Sequence, residues 1–537
     1  MAVKARAGVE FDHEKYRLRR FVERLIEIDE VEIREDPVPL TALSAIIENT
    51  PKAVLFRNAG PEGVELIAKA AAGRDRICAA FGTTRDKLYE VFQSRLANPR
   101  EAVEIPQDEA PVHAVRITGN DVDLTRLPFY PHHELDGSAY ISAGIDYTRD
   151  PVSGRTNVGS RRLSLRNRYQ TGTNVTAPSD LKRILQGCAA RGERLPITFT
   201  IGNHPLDFYA ATSRRPGEEL NLIATMRGEP APVVKCLTND LRVPADAEMT
   251  LEGYLDERGY FEPEGPYGEY MGYYGAIHLD PVFTCTAITM RTDVMHQTLQ
   301  HGSAFVLDQC DSACMTAMRV EADAMKILKA TVRKPVAVYL REVSGGGGGL
   351  RVSINQQYFG EARNAIAALF GGIRRLKHIW VFDDDIDIHD DRQVEWAFGT
   401  RFQADQDLVI LTGLMGQPMD PSLRGRRTGA KAGFDCTMPY PRQNEVTLTR
   451  CEAARFPGGP ARFQTVEQAL ESGPMFFAHL VDAVGSTDGR EVACALDELR
   501  QRGRLGRDRD GRYHRVDGKP GATAIVGELY HDPNSGT

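Results

Sequence analysis

A chain of 537 residues with 42% hydrophobic content is long enough for about two to four domains, each with its own core. Its 66 basic and 74 acidic residues leave a net charge of -8, with no basic face for nucleic acid and no polybasic membrane patch, so a small-molecule partner is expected. The N-terminal MAVKARAGVEFDHEKY has no apolar signal region and no window approaches the roughly 18 apolar residues that span a bilayer, which predicts a cytoplasmic protein.

The first region, residues 1–105, alternates helix-like LRRFVERLIEID, strand-like VEIRE, helical PLTALSAII and strand-like KAVLFRN, an α/β unit. Residues 106–320 change to short β-rich runs, among them VHAVRIT, YISAGIDYT, PITFTIG, APVVKCL and FTCTAITM, separated by Gly, Pro, Asp and Asn turns. A β-barrel-like or sandwich core fits that pattern. Residues 321–455 return to α/β, with a helix through VEADAMKILKATV, a strand VAVYLRE, a helix GEARNAIAALFGG and a strand HIWVFDDDIDIHD. The tail, 456–537, reads as two helices, FFAHLVDAVG and GREVACALDELRQRG, and a hairpin around Asp510 and Gly511. Helix, helix and wing resemble a winged-helix module, but the wing's arginines are balanced by aspartates, so a docking or oligomer role is expected rather than DNA binding.

Two features invite a function that their chemistry does not support. The run Ser344 to Gly349 lacks the Lys and Ser/Thr of a phosphate loop and precedes a strand, so it reads as a flexible connection. Nine cysteines, an odd number, do not look like a disulfide framework. Cys310 and Cys314 have helical spacing, but no further Cys or His at zinc-site spacing follows, and two buried thiols are expected.

Two segments carry chemistry. In RTNVGSRRLSLRNRYQTG, Asn157 stands five residues before Arg162, with the small Gly159 and Ser160 between them letting a ligand approach the backbone. Arg162 has the fork that binds a carboxylate in bidentate fashion. An edge strand with exposed arginines is the alternative. In EPEGPYGEYMGYYG, Glu264 and Glu269 flank a turn set by Gly265, Pro266 and Gly268. If buried, two carboxylates so placed repel each other, and one should hold a proton and act as a general acid. A solvated polar turn is the alternative.

Taken together, these segments resemble the UbiD family. The asparagine-to-arginine spacing paired with a distant E-x-x-x-x-E motif matches that family, as do LPFYPHHELDGSAYISAG, APVVKCLTNDLRVPADAEMTLEG, VFDDDIDIHDDRQVEWAFGTR and GAKAGFDCT, over roughly residues 15–440. The resemblance implies a non-oxidative, reversible decarboxylase of an aromatic, heteroaromatic or other α,β-unsaturated acid. It assigns Arg162, Glu264 and Glu269 as a Glu-Arg-Glu triad and prenylated FMN, made by a separate flavin prenyltransferase, as cofactor. Mn2+ (or Mg2+) and K+ would bridge the flavin phosphate to the protein. The flavin would lie against Asn157, Val158, Gly159, Ser160, Arg161 and Arg162, with Ser142, Ser179 and Lys431 nearby. For the metal, Asn157 matches the family's asparagine and Glu219 its glutamate, with Glu218 one register away. Where the family has histidine this chain has Asp180, which suits a hard cation or else caps its helix. Phe261, Tyr267, Tyr270 and Tyr273 are candidates for the pocket wall. A homodimer or larger assembly, joined through the C-terminal α/β region, is implied as well. A plain FMN oxidoreductase and a DNA-regulating module are the rival readings; the first lacks a G-x-G-x-x-G fingerprint after a strand.

Overall fold

The protein is described from a computed structural model covering residues 10–213, 217–345, 348–441, 446–456, 459–521 and 523–526. Two compact units follow one another, residues 1–438 and 439–537.

In the first unit the helix Leu18–Glu27 buries Leu18, Phe21, Val22 and Leu25, the 3.6-residue stripe visible in the sequence. Strands Val31–Arg34, Ala53–Ala59 and Val64–Ala68 form a sheet whose fourth member is His296–Thr298, parallel to Val64–Ala68. The N-terminal unit therefore borrows a strand from more than 200 residues downstream, which local periodicity does not reveal.

The centre is a closed barrel of six strands: β1 (Tyr140–Arg149), β2 (Thr156–Leu165), β3 (Gln170–Thr173), β4 (Leu195–Ile201), β5 (Met249–Leu255) and β6 (Val282–Met290). They run in the order β5-β4-β1-β2-β3-β6, and β5 pairs with β6 to close the ring. Strand β1 is buried along nearly its whole length because the barrel covers one of its faces and helices the other. A register shift between Ile141 and Gly144 sends Ile141 into the barrel interior with Leu163, Phe199 and Phe283. Ala143, Ile145 and Tyr147 pack outward under helices α2 (Pro205–Thr212) and α3 (Leu220–Arg227), against Leu206, Phe208 and Ile223. Another helix, α1 (Asp180–Ala190), sets Leu181, Ile184 and Leu185 into the interior cluster. At the β5–β6 closure Gly253 is required by contact: a Cβ there would lie 2.0 Å from the Thr284 carbonyl oxygen.

Helix α4 (Asp311–Thr331) starts nine residues before the apolar repeat that signals it, and leads into a five-stranded sheet ordered Pro335–Leu340, Gly349–Ile354, His378–Asp383, Thr428–Cys436, Leu408–Met415. The glycine run joins the first two of these antiparallel strands, as expected; Gly346 and Gly347 lie outside the described residues. Cys310 and Cys314 are buried thiols, and all nine cysteines are free. No helix among the described residues is long and apolar enough to cross a membrane.

The second unit begins at Pro439. Its described residues include the helices Val466–Glu471, Phe477–Ala483 and Arg490–Gln501, and the hairpin Leu505–Asp508 with Tyr513–Arg515, in which Gly511 takes a φ of +89°. The hairpin arginine Arg512 pairs with Asp508 and Asp510 at 2.8 and 2.9 Å.

Candidate active site

Strand β2 pairs with β3 only from Leu163 onward, so its first half has an open edge. The Thr156 amide donates to Glu218 at 3.1 Å and the Val158 amide to Glu219 Oε2 at 2.7 Å, where the chain enters helix α3. Antiparallel amides alternate in direction, so the next one on that edge belongs to Ser160. Ser160, Arg161 and Arg162 line a cavity together with Ser142, Glu269 and His301. The space inside it open to a water-sized sphere is about 250 Å³, just under the roughly 300–1,000 Å³ of small-molecule sites.

Arg162 is the hub of this cavity. Its Nε and Nη2 donate to the two oxygens of Glu264, each at 2.9 Å, and Nη1 donates to Glu269 Oε1 at 2.7 Å. The guanidinium lies 4.2 Å from the centre of the buried Tyr267 ring, a cation–π contact from below. Burial works against its charge, but the bonds to Glu264 and the charges of both glutamates raise its pKa above the ordinary value. The two glutamates thus meet through a cation instead of facing each other across an empty turn. They differ in exposure, the Glu264 side chain being 1% and that of Glu269 15% accessible.

What holds the glutamate turn is the PHHELDG segment. Gly268 donates to Asp136 Oδ1 at 2.9 Å, and the amides of His132 and His133 donate to Asp136 Oδ2 at 3.1 and 3.0 Å. Burial opposes charge on Asp136, yet these donors and the His133 ring keep its carboxyl below the usual range. A Cβ on Gly268 would come within 2.2 Å of the His133 imidazole. His132, bonded to the Tyr267 hydroxyl at 3.0 Å, is pushed down to about 3 by burial and is neutral. His301 reaches the cavity, is lowered to about 4 by burial, and its Nδ1 contacts Ser312 Oγ at 2.7 Å.

A second cluster adjoins Glu264. Strand pairing places His278 opposite it, and Asp280 lies 2.9 Å from His278 Nδ1, its pKa raised to about 6 by burial. These three are the sole trio of His, Cys, Asp or Glu with mutually close donor atoms among the described residues. Both Glu264 oxygens are already bonded to Arg162, so the cluster is read as support for that ion pair rather than as a metal centre.

The remaining residues expected at the site are spread more widely. Ser142 Oγ accepts the Leu299 amide at 3.1 Å. Val158 packs its side chain outward into the core. Ser179 caps helix α1 by accepting the Lys182 amide at 3.2 Å; Asp180 is the helix's first residue, not its cap. The Asp180 side chain is 68% exposed and lies 3.6 Å from Arg183 Nε. Lys431 is not brought to this cavity: its amine donates to the Arg374 carbonyl at 2.7 Å in the wall of a different one, inside the C-terminal sheet. Of the four aromatic candidates Tyr267 lines the cavity; Phe261 stacks under Arg258, Tyr270 bonds Gln417 and Tyr273 is exposed. Asp136, His132, His133, His301, His278 and Asp280 escaped the sequence reading of the site. The signal for the first three was present, as an aspartate three residues after a histidine pair and just before a glycine, but nothing local says what that loop grips.

Residues 103–304 match the 3-octaprenyl-4-hydroxybenzoate carboxy-lyase Rift-related domain and residues 313–436 the C-terminal domain of the same enzymes. The anhydromevalonate phosphate decarboxylase of Methanosarcina mazei is 30% identical over 422 residues, 78% of this chain and 95% of its own. Among solved structures, the UbiD-class enzyme HmfF from Pelotomaculum thermopropionicum in complex with FMN superposes with a TM-score of 0.76 at 30% identity, covering 81% of this chain and 97% of that one. Vanillic acid decarboxylase from Sedimentibacter hydroxybenzoicus gives 0.72 at 25% identity, covering 85% and 98%. With both domains matched in order around the barrel and its arginine, the chain belongs to the UbiD family of carboxy-lyases.

Proposed function

We propose that the protein reversibly decarboxylates an aromatic, heteroaromatic or other α,β-unsaturated carboxylic acid, with Arg162, Glu264 and Glu269 as its triad and prenylated FMN as its cofactor. The observation that carries this reading is the single guanidinium clasped by two carboxylates in the wall of a cavity that Ser160 and Arg161 also line. An HmfF relative in complex with prFMN, 28% identical, supports the cofactor.

Loss of CO2 from an unsaturated carbon leaves electron density that no side chain can hold, and the modified flavin, when bound, supplies the sink. The chain's residues do the rest. Arg162 orients the substrate carboxylate, held in one pose by the bidentate grip of Glu264. Glu269, at the cavity face, delivers the proton that takes the place of CO2. Ser142, Ser160 and Arg161 bind the flavin from the strand edge. Mn2+ or Mg2+, and K+, would be held by Asn157 and Glu219, with Asp180 as the further expected ligand. Amide and carboxylate oxygens suit a hard cation, and burial with the charges of Asp180, Asp146 and Glu218 raises Glu219 against the pull of the Val158 amide.

The test is anaerobic co-production with a flavin prenyltransferase and a panel of unsaturated and aromatic acids. Flavin-loaded protein should release CO2 from at least one acid and unloaded protein from none. No release from any acid, with NADH oxidation on unmodified FMN instead, would replace this reading by an oxidoreductase. The 59.5 kDa chain should also form at least a dimer through its C-terminal α/β sheet, where Leu408–Met415 is an edge strand exposing Ile410 and Met415. Light scattering that returns the monomer mass at micromolar concentration would contradict this.

A further inference from the structure

In the barrel wall beside Asn157 stands a carboxylate with nothing to bond to. Asp146 lies opposite Gly159 on the paired strands β1 and β2, and Thr148 lies opposite Asn157. Paired residues share a face and side chains alternate by two, so Asp146, Asn157, Gly159 and Arg161 project on one side of the sheet. Asp146 is 0% exposed, and neither of its oxygens has a hydrogen-bond partner. A Cβ on Gly159 would lie 2.7 Å from Asp146 Oδ1, so the glycine leaves this carboxylate its room. The nearest cation, Arg161, stops short: its Nε is 3.8 Å away and is itself without a hydrogen-bond partner. The pair faces across a gap without closing it.

A buried carboxylate left without donors is costly, and the usual remedies are a proton, a closed ion pair or a metal. Asp146 also acts electrostatically on Glu219, alongside Asp180 and Glu218. Asp180, the expected third ligand, is by contrast directed to solvent beside Arg183. We propose that Asp146 is a ligand of the divalent cation held at Asn157 and Glu219, making an all-oxygen site inside the barrel in which Asp180 is dispensable. This rests on the cation assigned under the proposed function, and it accounts for how the chain manages without a histidine: the third donor comes from the neighbouring strand. An all-oxygen shell suits Mn2+ or Mg2+.

The experiment titrates Mn2+ alone into the full-length protein without flavin, reading free Mn2+ by electron paramagnetic resonance, so it stands apart from any assay of decarboxylation. Asp146→Asn should weaken binding by about tenfold or more, the usual scale for groups that build a metal site, while Asp180→Asn stays within about threefold of the parent. Asp146→Glu keeps the charge but moves the oxygens by one methylene: Mn2+ affinity should fall by about threefold or more if Asp146 is a ligand and stay at the parental value if it is merely the counterion of Arg161. The proposal falls if the parent protein binds no Mn2+, if Asp146→Asn or Asp146→Glu binds it as the parent does, or if Asp180→Asn causes the loss. Should Asp146→Asn fail to fold, Asp146→Glu, which keeps the charge, decides. A protein that binds Mn2+ as described yet decarboxylates nothing would leave this site standing and overturn only the proposed reaction.

Discussion

Replacing Glu269 by Gln is expected to slow decarboxylation by about 10²–10⁴-fold, the usual contribution of a positioned general acid, with flavin and cation still bound. The two glutamates are not equivalent. Glu264 spends both oxygens on Arg162 and is sealed from solvent, whereas Glu269 accepts one bond from Arg162 through Oε1 and lines the cavity. Glutamine keeps the shape and an acceptor for Arg162 but has no carboxyl proton to transfer. The measurement is CO2 release together with deuterium uptake from solvent at the former carboxyl carbon, made on flavin-loaded variants. Parental rates of both in Glu269→Gln would mean that the proton comes from another group, with His301 the next to examine at the same cavity.

Arg162→Lys is expected to cost about 10²-fold or more, the scale of an ångström-level misplacement in an active site, and to act on binding as well as turnover. A planar fork makes three bonds here, two to Glu264 and one to Glu269, and lies 4.2 Å from the centre of the Tyr267 ring. An ammonium group keeps the charge but not the fork. The glutamates should lose their fixed relation, so flavin occupancy should fall with kcat and KM for the acid should rise. Glu269→Gln, by comparison, should lower kcat with little change in KM. If Arg162→Lys retains parental occupancy and KM, the arginine neither orients the carboxylate nor organises the flavin site. Arg162→Met should be harsher still, because it leaves buried Glu264 uncompensated at a cost of about 3–5 kcal/mol.

The sequence by itself determined the order of regions, the position of most helices and strands, the turn that carries the two glutamates, and the strand that carries Asn157 and Arg162. These are written in local periodicity and in Gly and Pro placement, which act over a few residues. The family resemblance rests on the same short segments. Tertiary structure alone decided what those segments meet. Arg162 and Glu264 are 102 residues apart, Asp136 and Gly268 are 132 apart, and the fourth strand of the N-terminal sheet comes from His296–Thr298. None of these contacts has a local signal, because each is set by barrel closure and strand register. The same holds for where two expected site residues lie, Asp180 at an exposed helix start beside Arg183 and Lys431 on a strand of another sheet. Asp146 is sealed on every side, because β1 packs into the barrel on one face and under helices α2 and α3 on the other. Burial on both faces of a strand is a property of what packs against it, and that is not encoded within the strand.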